Sequence, residues 1–250
     1  MAKFETYRDK YQHIRLTRRD GILELRLHTN GGSLVWAGAQ HEELGRCFAD
    51  VAGDSENKVV IITGAGESFC ADIDLTQFPE MTPRLFLDLW LEARRLLDNL
   101  LAIEVPVIGA VNGPAHIHAE LVVLSNIVIA SDTASFQDAP HFANGVVPGD
   151  GVHVVWPMLL GPTRGSYFLL TNEIIEARKA LELGIVNEVV PFDKVQSRAW
   201  ALAEQIAAKP IMARYFSRTL LTHEMRRQMH EQLSHGFALE GLGMFGMGVD

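Results

Sequence analysis

Histidine is the residue that stands out in this 250-residue chain: there are ten, several of them near its middle. Imidazole is the side chain most easily poised for proton transfer near neutral pH. His141 and Asp150 stand nine positions apart across a Gly- and Pro-rich loop. A carboxylate bonded to one ring nitrogen fixes the tautomer and leaves the other nitrogen to deprotonate water. Spacing alone does not distinguish such a pair from surface or core-satisfied groups. His116-Ile117-His118 has the HxH form of a metal-binding pair, yet no third ligand stands at a recognisable spacing, so no metal site is expected. Glu240 lies in the apolar stretch Phe237–Phe245, where a carboxyl group would have a raised pKa and could donate a hydrogen bond while protonated. His13, His28, His153, His223, His230 and His235 read as strand-surface, loop or helix positions, and Asp72, Asp74 and Glu120 as solvated carboxylates.

The elements that must position these groups alternate between strand and helix. His13–Thr17 and Gly21–His28 alternate as strands do, with a hairpin turn at Arg18-Arg19-Asp20-Gly21. Gln40–Val51 has helical periodicity, and Lys58–Thr63 is a short apolar run of the kind found in a strand covered on both faces. Arg84–Leu101 sets Leu85, Leu89, Ala93, Leu96, Leu97 and Leu100 on one stripe of an amphipathic helix. Buried-type strands follow at Val107–Val111 and Ile127–Ala130. After Gly151 the chain reads as helical, apart from a strand at Val186–Val190 beyond a helix over Glu176–Leu183 that Gly184 ends. Helices close the chain at Val195–Ala208 and, behind Pro210, at Ile211–His223. The fold class is α/β, with helices packed on a largely parallel sheet. No linker divides the chain: residues 1–200 form the core, and residues 201–250 a helical region of the same domain. The apolar, glycine-rich tail from Gly236 to Gly248 is assigned to a subunit contact rather than to its own core, because an apolar patch of that size rarely stays exposed.

Composition excludes several classes. A formal charge of −9, with scattered Lys and Arg, argues against nucleic acid and anionic membranes as partners. No stretch approaches the roughly 18 uninterrupted apolar residues of a membrane span. The N-terminus has no apolar signal core, so a cytoplasmic protein is expected. Two cysteines, Cys47 and Cys70, are too few for a disulfide framework and read as buried small apolar residues.

Three stretches resemble the crotonase (enoyl-CoA hydratase/isomerase) superfamily: Lys58–Leu75, Glu104–Pro114, and Ala134–Gln137 followed by Gly145–Gly149. The likeness runs in order from about residue 12 to residue 220. It implies a spiral of ββα units with C-terminal helices and a trimer-based assembly, either a homotrimer or a hexamer made as a dimer of trimers. The departures are as informative. Relatives that hydrate enoyl-CoA carry two catalytic glutamates; those positions fall here at Leu121 and His141. The family's glycine turn after Asn-Gly, which brings a backbone N–H to the thioester oxygen, reads Ala115-His116-Ile117-His118-Ala119. The first oxyanion loop reads Ala71-Asp72-Ile73-Asp74 and has lost its glycine.

Within the superfamily the chain is most similar to the β-diketone hydrolases typified by 6-oxocamphor hydrolase. The similarity rests on Ser33–Trp36, His41–Leu44, His118, Phe136–Asp138, Pro140–Phe142, Val146–Gly151, Val154–Pro157 and Glu240. Position by position, it implies catalytic roles for His141, Asp150, His118 and His41, and substrate contacts from Trp36 and Glu240. The implied reaction is hydrolysis of a carbon–carbon bond in a small, apolar cyclic β-diketone, giving a keto acid, with water activated by His141 oriented by Asp150. It uses no metal or organic cofactor. The alternatives are an acyl-CoA hydratase, isomerase or hydrolase and, from another class, a non-catalytic scaffold on the same fold.

Overall fold

The computed structural model describes residues 2–246. In chain order its strands are β1 (Ile14–Arg19), β2 (Ile22–Leu27), β3 (Leu34–Trp36), β4 (Val59–Gly64), β5 (Cys70–Ile73), β6 (Val107–Val111), β7 (Ile127–Ser131), β8 (Ser135–Phe136), β9 (Ile175–Glu176) and β10 (Glu188–Val190). The helices are α1 (Phe4–Tyr7), α2 (Ala39–Ala52), α3 (Pro83–Ala102), α4 (Glu120–Val123), α5 (Val152–Leu160), α6 (Pro162–Thr171), α7 (Ala177–Glu182), α8 (Val195–Ala207), α9 (Ile211–Leu221) and α10 (His223–Gly246).

The main sheet has the order β1-β2-β4-β6-β7-β10 and is parallel except for the β1–β2 hairpin. That hairpin turns at Asp20-Gly21, both at positive φ, as a two-residue turn joining right-twisted strands requires. The all-buried β4 and β6 explain the continuous apolar runs. Along β4, Val60 and Ile62 face the larger core, which includes Leu44, Leu96 and Leu97 of α2 and α3. Val59 and Ile61 face Val195, Ala199 and Ala203 of α8 on the opposite side. Because α8 begins before residue 200 and packs on this sheet, the helical region is anchored to the core.

A second, smaller sheet lies beside the first. β3 pairs with β5, bridges join Cys70 to Ala115 and Ala115 to Phe136, and β8 pairs with β9. The chain therefore winds in a repeating unit. Each turn gives one strand to the main sheet (β2, β4, β6, β7), one short extended segment to the second (β3, β5, Ala115, β8), and then a helix (α2, α3, α4, α5). This is the expected ββα spiral.

The C-terminal tail, assigned to a subunit contact, packs one face on its own chain and leaves the other open. α10 folds back on its own chain and buries Phe237, Glu240 and Gly241, while Leu239, Leu242 and Phe245 remain exposed. Met247 and Gly248, the end of the expected contact, lie outside the described residues. The return is possible because two glycines let backbone meet backbone: a Cβ on Gly149 would lie 2.3 Å from Gly236 O. That contact sets the loop carrying Asp150 against the helix carrying Glu240. Gly149→Ala should therefore push the two apart, at a cost of about 1–3 kcal/mol of stability, the usual scale of overpacking. Urea unfolding of the variant checks this; an unchanged midpoint would mean that the contact is slack.

Candidate active site

Six side chains from five separate segments meet on one cavity of about 130 Å³: Trp36, His41, His118, His141, Asp150 and Glu240. The second sheet delivers most of them. Trp36 ends β3, and Gln40 pins the turn into α2 by accepting from Ala37 N at 2.8 Å and donating to Val35 O at 3.3 Å. One residue further on, His41 enters the site edge-on to the indole, with ring centroids 4.9 Å apart. The imidazole of His118 also packs on Trp36, with centroids 3.9 Å apart at 38°, and lies 5.0 Å from His41.

His118 stands in the turn that the bridge at Ala115 anchors, at φ +50°. This is the left-handed region that glycine occupies freely and other residues occupy at a cost on the order of 1–3 kcal/mol. The backbone thus retains a glycine-like bend where the residue is histidine. Its ring Nδ1 donates to Glu120 Oε1 at 2.5 Å. Glu120 is 1% exposed, so the expectation of a solvated carboxylate is corrected. Two backbone donors of the turn are already used: His116 N and Ile117 N both donate to Cys70 O, at 2.8 and 3.1 Å.

His141 follows β8 and lies between two carboxylates. Its Nδ1 donates to Asp138 Oδ1 at 2.7 Å, and its Nε2 is 3.4 Å from Asp150 Oδ2. All three side chains are buried. The closer, hydrogen-bonded carboxylate is Asp138, not Asp150, which faces the nitrogen turned toward the cavity. In sequence Asp138 stands only as part of a matching motif. A signal for it is present there: an acid three residues before a histidine, behind a Pro-containing turn. Gly151, at φ +118° and with room for no Cβ against Leu97, fixes the bend that directs Asp150 inward.

The charges in this small space set one another. Burial lowers the His41 imidazole to about 3, and the neighbouring His118 adds to the effect, so His41 is neutral. Burial also disfavours charge on His118, but Glu120 and then Asp150 reverse this and the net shift is upward. His141 behaves alike: burial opposes its charge, yet Asp150 and Asp138 hold it well above the ordinary value. Burial likewise opposes ionisation of Asp150, but His141, then His118 and His41, keep it below the usual carboxylate range. Glu240 goes the other way. Burial, then the Asp150 charge, push it up to about 8, so at neutral pH it is a carboxylic acid and can donate.

These polarities suit acyl-carbon chemistry. Polar atoms without a hydrogen-bond partner among the described residues include His41 Nδ1, Asp150 Oδ1 and Glu240 Oε2. The rest of the wall is apolar, formed by Ile73, Phe78, Leu89, Val146, Phe237 and Met244. An apolar cavity of about 150 Å³ holds a benzene-sized molecule, so the space fits a small ring. Leu121, at one of the family's glutamate positions, is fully buried and takes no part in the wall.

The HxH pair does not converge on one ion: His116 Nε2 lies 2.8 Å from Ser135 Oγ, while His118 faces Glu120. His118, Glu120 and Asp150 bring ligand-type atoms within 4.8 Å of one another. There, however, the His118 nitrogen facing Glu120 carries a proton, and a cation would have to displace it.

Comparison with known proteins places this geometry. The enoyl-CoA hydratase/isomerase family model matches residues 23–242. Carnitinyl-CoA dehydratase of Proteus mirabilis is 35% identical over 199 residues, covering 78% of this chain and 75% of that protein. The structure of a β-diketone hydrolase from the cyanobacterium Anabaena sp. PCC 7120, bound to (S)-3-oxocyclohexyl acetic acid, is 42% identical. It superposes with a TM-score of 0.93 over 98% of this chain and 97% of that one. An enoyl-CoA hydratase/isomerase from Mycobacterium paratuberculosis is 26% identical, with a TM-score of 0.87 over 94% and 95% of the two chains. With the family's ββα spiral, its motifs in order and its model matched along most of the length, the chain belongs to the crotonase (enoyl-CoA hydratase/isomerase) family of enzymes.

Proposed function

We propose that this crotonase-family enzyme is a cofactor-independent β-diketone hydrolase that opens a small, apolar cyclic 1,3-diketone to a keto acid. The observation that carries the reading is the convergence of Trp36, His41, His118, His141, Asp150 and Glu240 on one ring-sized cavity. The family's two hydratase carboxylates are both replaced. The 42% identity to a β-diketone hydrolase supports it.

The chemistry follows from the polarities. Water bound beside His141 Nε2 and Asp150 loses a proton to the imidazole, while Asp138 keeps the ring oriented through Nδ1. Hydroxide adds to one carbonyl carbon, and the tetrahedral oxyanion is met by side-chain donors in place of backbone amides. The bond to the intervening carbon breaks, and its electron pair passes to the second carbonyl as an enolate. A proton returned to the enolate carbon completes the keto acid. His118 and His41 face the developing oxyanions, Trp36 offers an indole N–H, and protonated Glu240 supplies a further donor.

The curated relatives named for a CoA thioester favour a second reading, an acyl-CoA hydratase, isomerase or hydrolase. Against it stand the missing glutamates, replaced by Leu121 and His141. The family's trimer-based assembly extends to this chain as part of the proposal, supported by the exposed Ile211, Met212, Phe216 and Leu220 of α9, and light scattering should return a multiple of three chains. A cytoplasmic location is consistent with two buried free cysteines.

Incubation with a panel of cyclic 1,3-diketones and of enoyl-CoAs, read by mass spectrometry, separates the readings. The expected outcome is keto acid from a diketone and no change in the thioesters; turnover of an enoyl-CoA alone, with tight CoA binding in a calorimeter, would replace this reading by the second. His141→Ala should lower diketone turnover roughly 10²–10⁴-fold, the scale of positioned acid–base catalysis. Asp138→Asn should lower it too, with KM nearly unchanged. Full activity in His141→Ala would remove the base from the mechanism.

The pH profile tests the charge assignment. His141 must be neutral to accept a proton, and its pKa is raised, so the rate climbs with pH through a value above the ordinary 6.5. Glu240 must be protonated to donate, so the rate falls as pH rises through about 8. Glu240→Gln keeps the donor without the titration and should abolish the alkaline limb. A limb that survives this substitution belongs to another group.

A further inference from the structure

His118 has an environment built for a permanent positive charge, and the residue responsible is Glu120. The carboxylate is 1% exposed, sits at the start of α4 and meets His118 Nδ1 at 2.5 Å. A face of the imidazole lies against the indole of Trp36 at 3.9 Å between centroids, an arrangement that favours a cation over a neutral ring. His41 closes a third side edge-on, at 88° and 5.0 Å. The charged and titratable groups facing His118 are Glu120 from α4, Asp150 from the turn before α5, His141 from the loop after β8 and His41 from α2. The two carboxylates outweigh the imidazoles: His41 is neutral, and the charge on His141 is matched by Asp138. A buried Glu with a short bond to a single imidazole has no evident reason to be there unless that imidazole is to stay charged and oriented.

We infer that Glu120 is a positioning residue that holds His118 as a fixed imidazolium, making its outer nitrogen an oxyanion subsite. The ligand class is a delocalised oxygen anion, an enolate or a carboxylate, held at Nε2. The inference deepens the hydrolase reading and rests on it for the reaction, but the subsite itself does not require turnover. A charge-assisted hydrogen bond is roughly twice as strong as a neutral one. The preference should therefore appear as tighter binding of an anion than of a neutral ketone of the same size.

The test uses the full-length protein and two probes: 1,3-cyclohexanedione, which is an enolate near neutral pH and whose delocalised carbonyls resist water, and cyclohexanone, which is neutral. Calorimetry on the parent and on Glu120→Gln is expected to show the enolate bound about 10–100-fold more weakly by the variant, a loss typical of a charged hydrogen bond. Cyclohexanone should be unaffected. A merely structural role for Glu120 would weaken both probes alike and overturn the inference, as would equal enolate binding by parent and variant. Should Glu120→Gln fail to fold, ¹⁵N NMR of the parent decides: both ring nitrogens of His118 protonated near neutral pH supports the inference, and a neutral ring refutes it. A protein that binds the enolate through a charged His118 yet cleaves no diketone would uphold this subsite while ending the hydrolase reading.

Discussion

One buried ionic chain governs the site: His141 between Asp138 at 2.7 Å and Asp150 at 3.4 Å. The two carboxylates hold the imidazole toward its charged form, and the imidazole in turn keeps Asp150 below the usual carboxylate range. Removing one partner from such a buried pair typically costs about 3–5 kcal/mol, because the other charge is left uncompensated. The remaining polarities follow from this chain. Burial raises Glu240 and the ionised Asp150 adds to the effect, and after Glu120 that same charge helps to hold His118 charged. Burial keeps His41 neutral, and His118 adds to the effect. Acid, base and cation are thus set within one cavity by mutual electrostatics. The scaffold has to bring β8, the Gly149–Asp150 loop and α10 together closely enough for this, and the Gly149–Gly236 contact does so.

On the proposed reading the family fold takes a different electrophile on a backbone close to that of its relatives. A thioester-binding relative offers backbone N–H groups from a glycine turn. Here that turn keeps its left-handed bend at His118, but its amides at His116 and Ile117 are spent on Cys70 O. Side-chain donors fill the space instead. They reach further and can carry charge, which suits two oxygens that become anionic in succession better than one fixed thioester oxygen. Fold alone does not assign an activity; the proposal rests on the residues grafted on it.

Much of the fold was legible in sequence. β4 and β6, wholly buried and mostly apolar, and α3, with its leucine stripe, carry strong signals. The second sheet did not show in periodicity, because β3, β8 and β9 have three, two and two residues, too few for alternation to register. That sheet carries the site, so its residues were found through family likeness rather than pattern. Glu120 and Asp138 were missed as functional groups for a related reason. Each gains its meaning from a histidine two or three positions away whose ring direction depends on a bend, at His118 or at Pro140, that residue types alone do not specify. The tail's packing on its own chain was not legible, because residue types alone do not show that Gly236 and Gly241 serve close packing against Gly149 and Phe86.

The central claim is that water, activated beside His141 and Asp150, adds to a carbonyl carbon of a small cyclic β-diketone. Reaction in ¹⁸O-water with mass spectrometry of the product addresses it directly. The account predicts a ring-opened keto acid carrying one ¹⁸O in the new carboxylate, from a single turnover with no added metal or cofactor. A product whose new carboxylate carries no label, or a diketone recovered intact while a thioester is consumed, would contradict it.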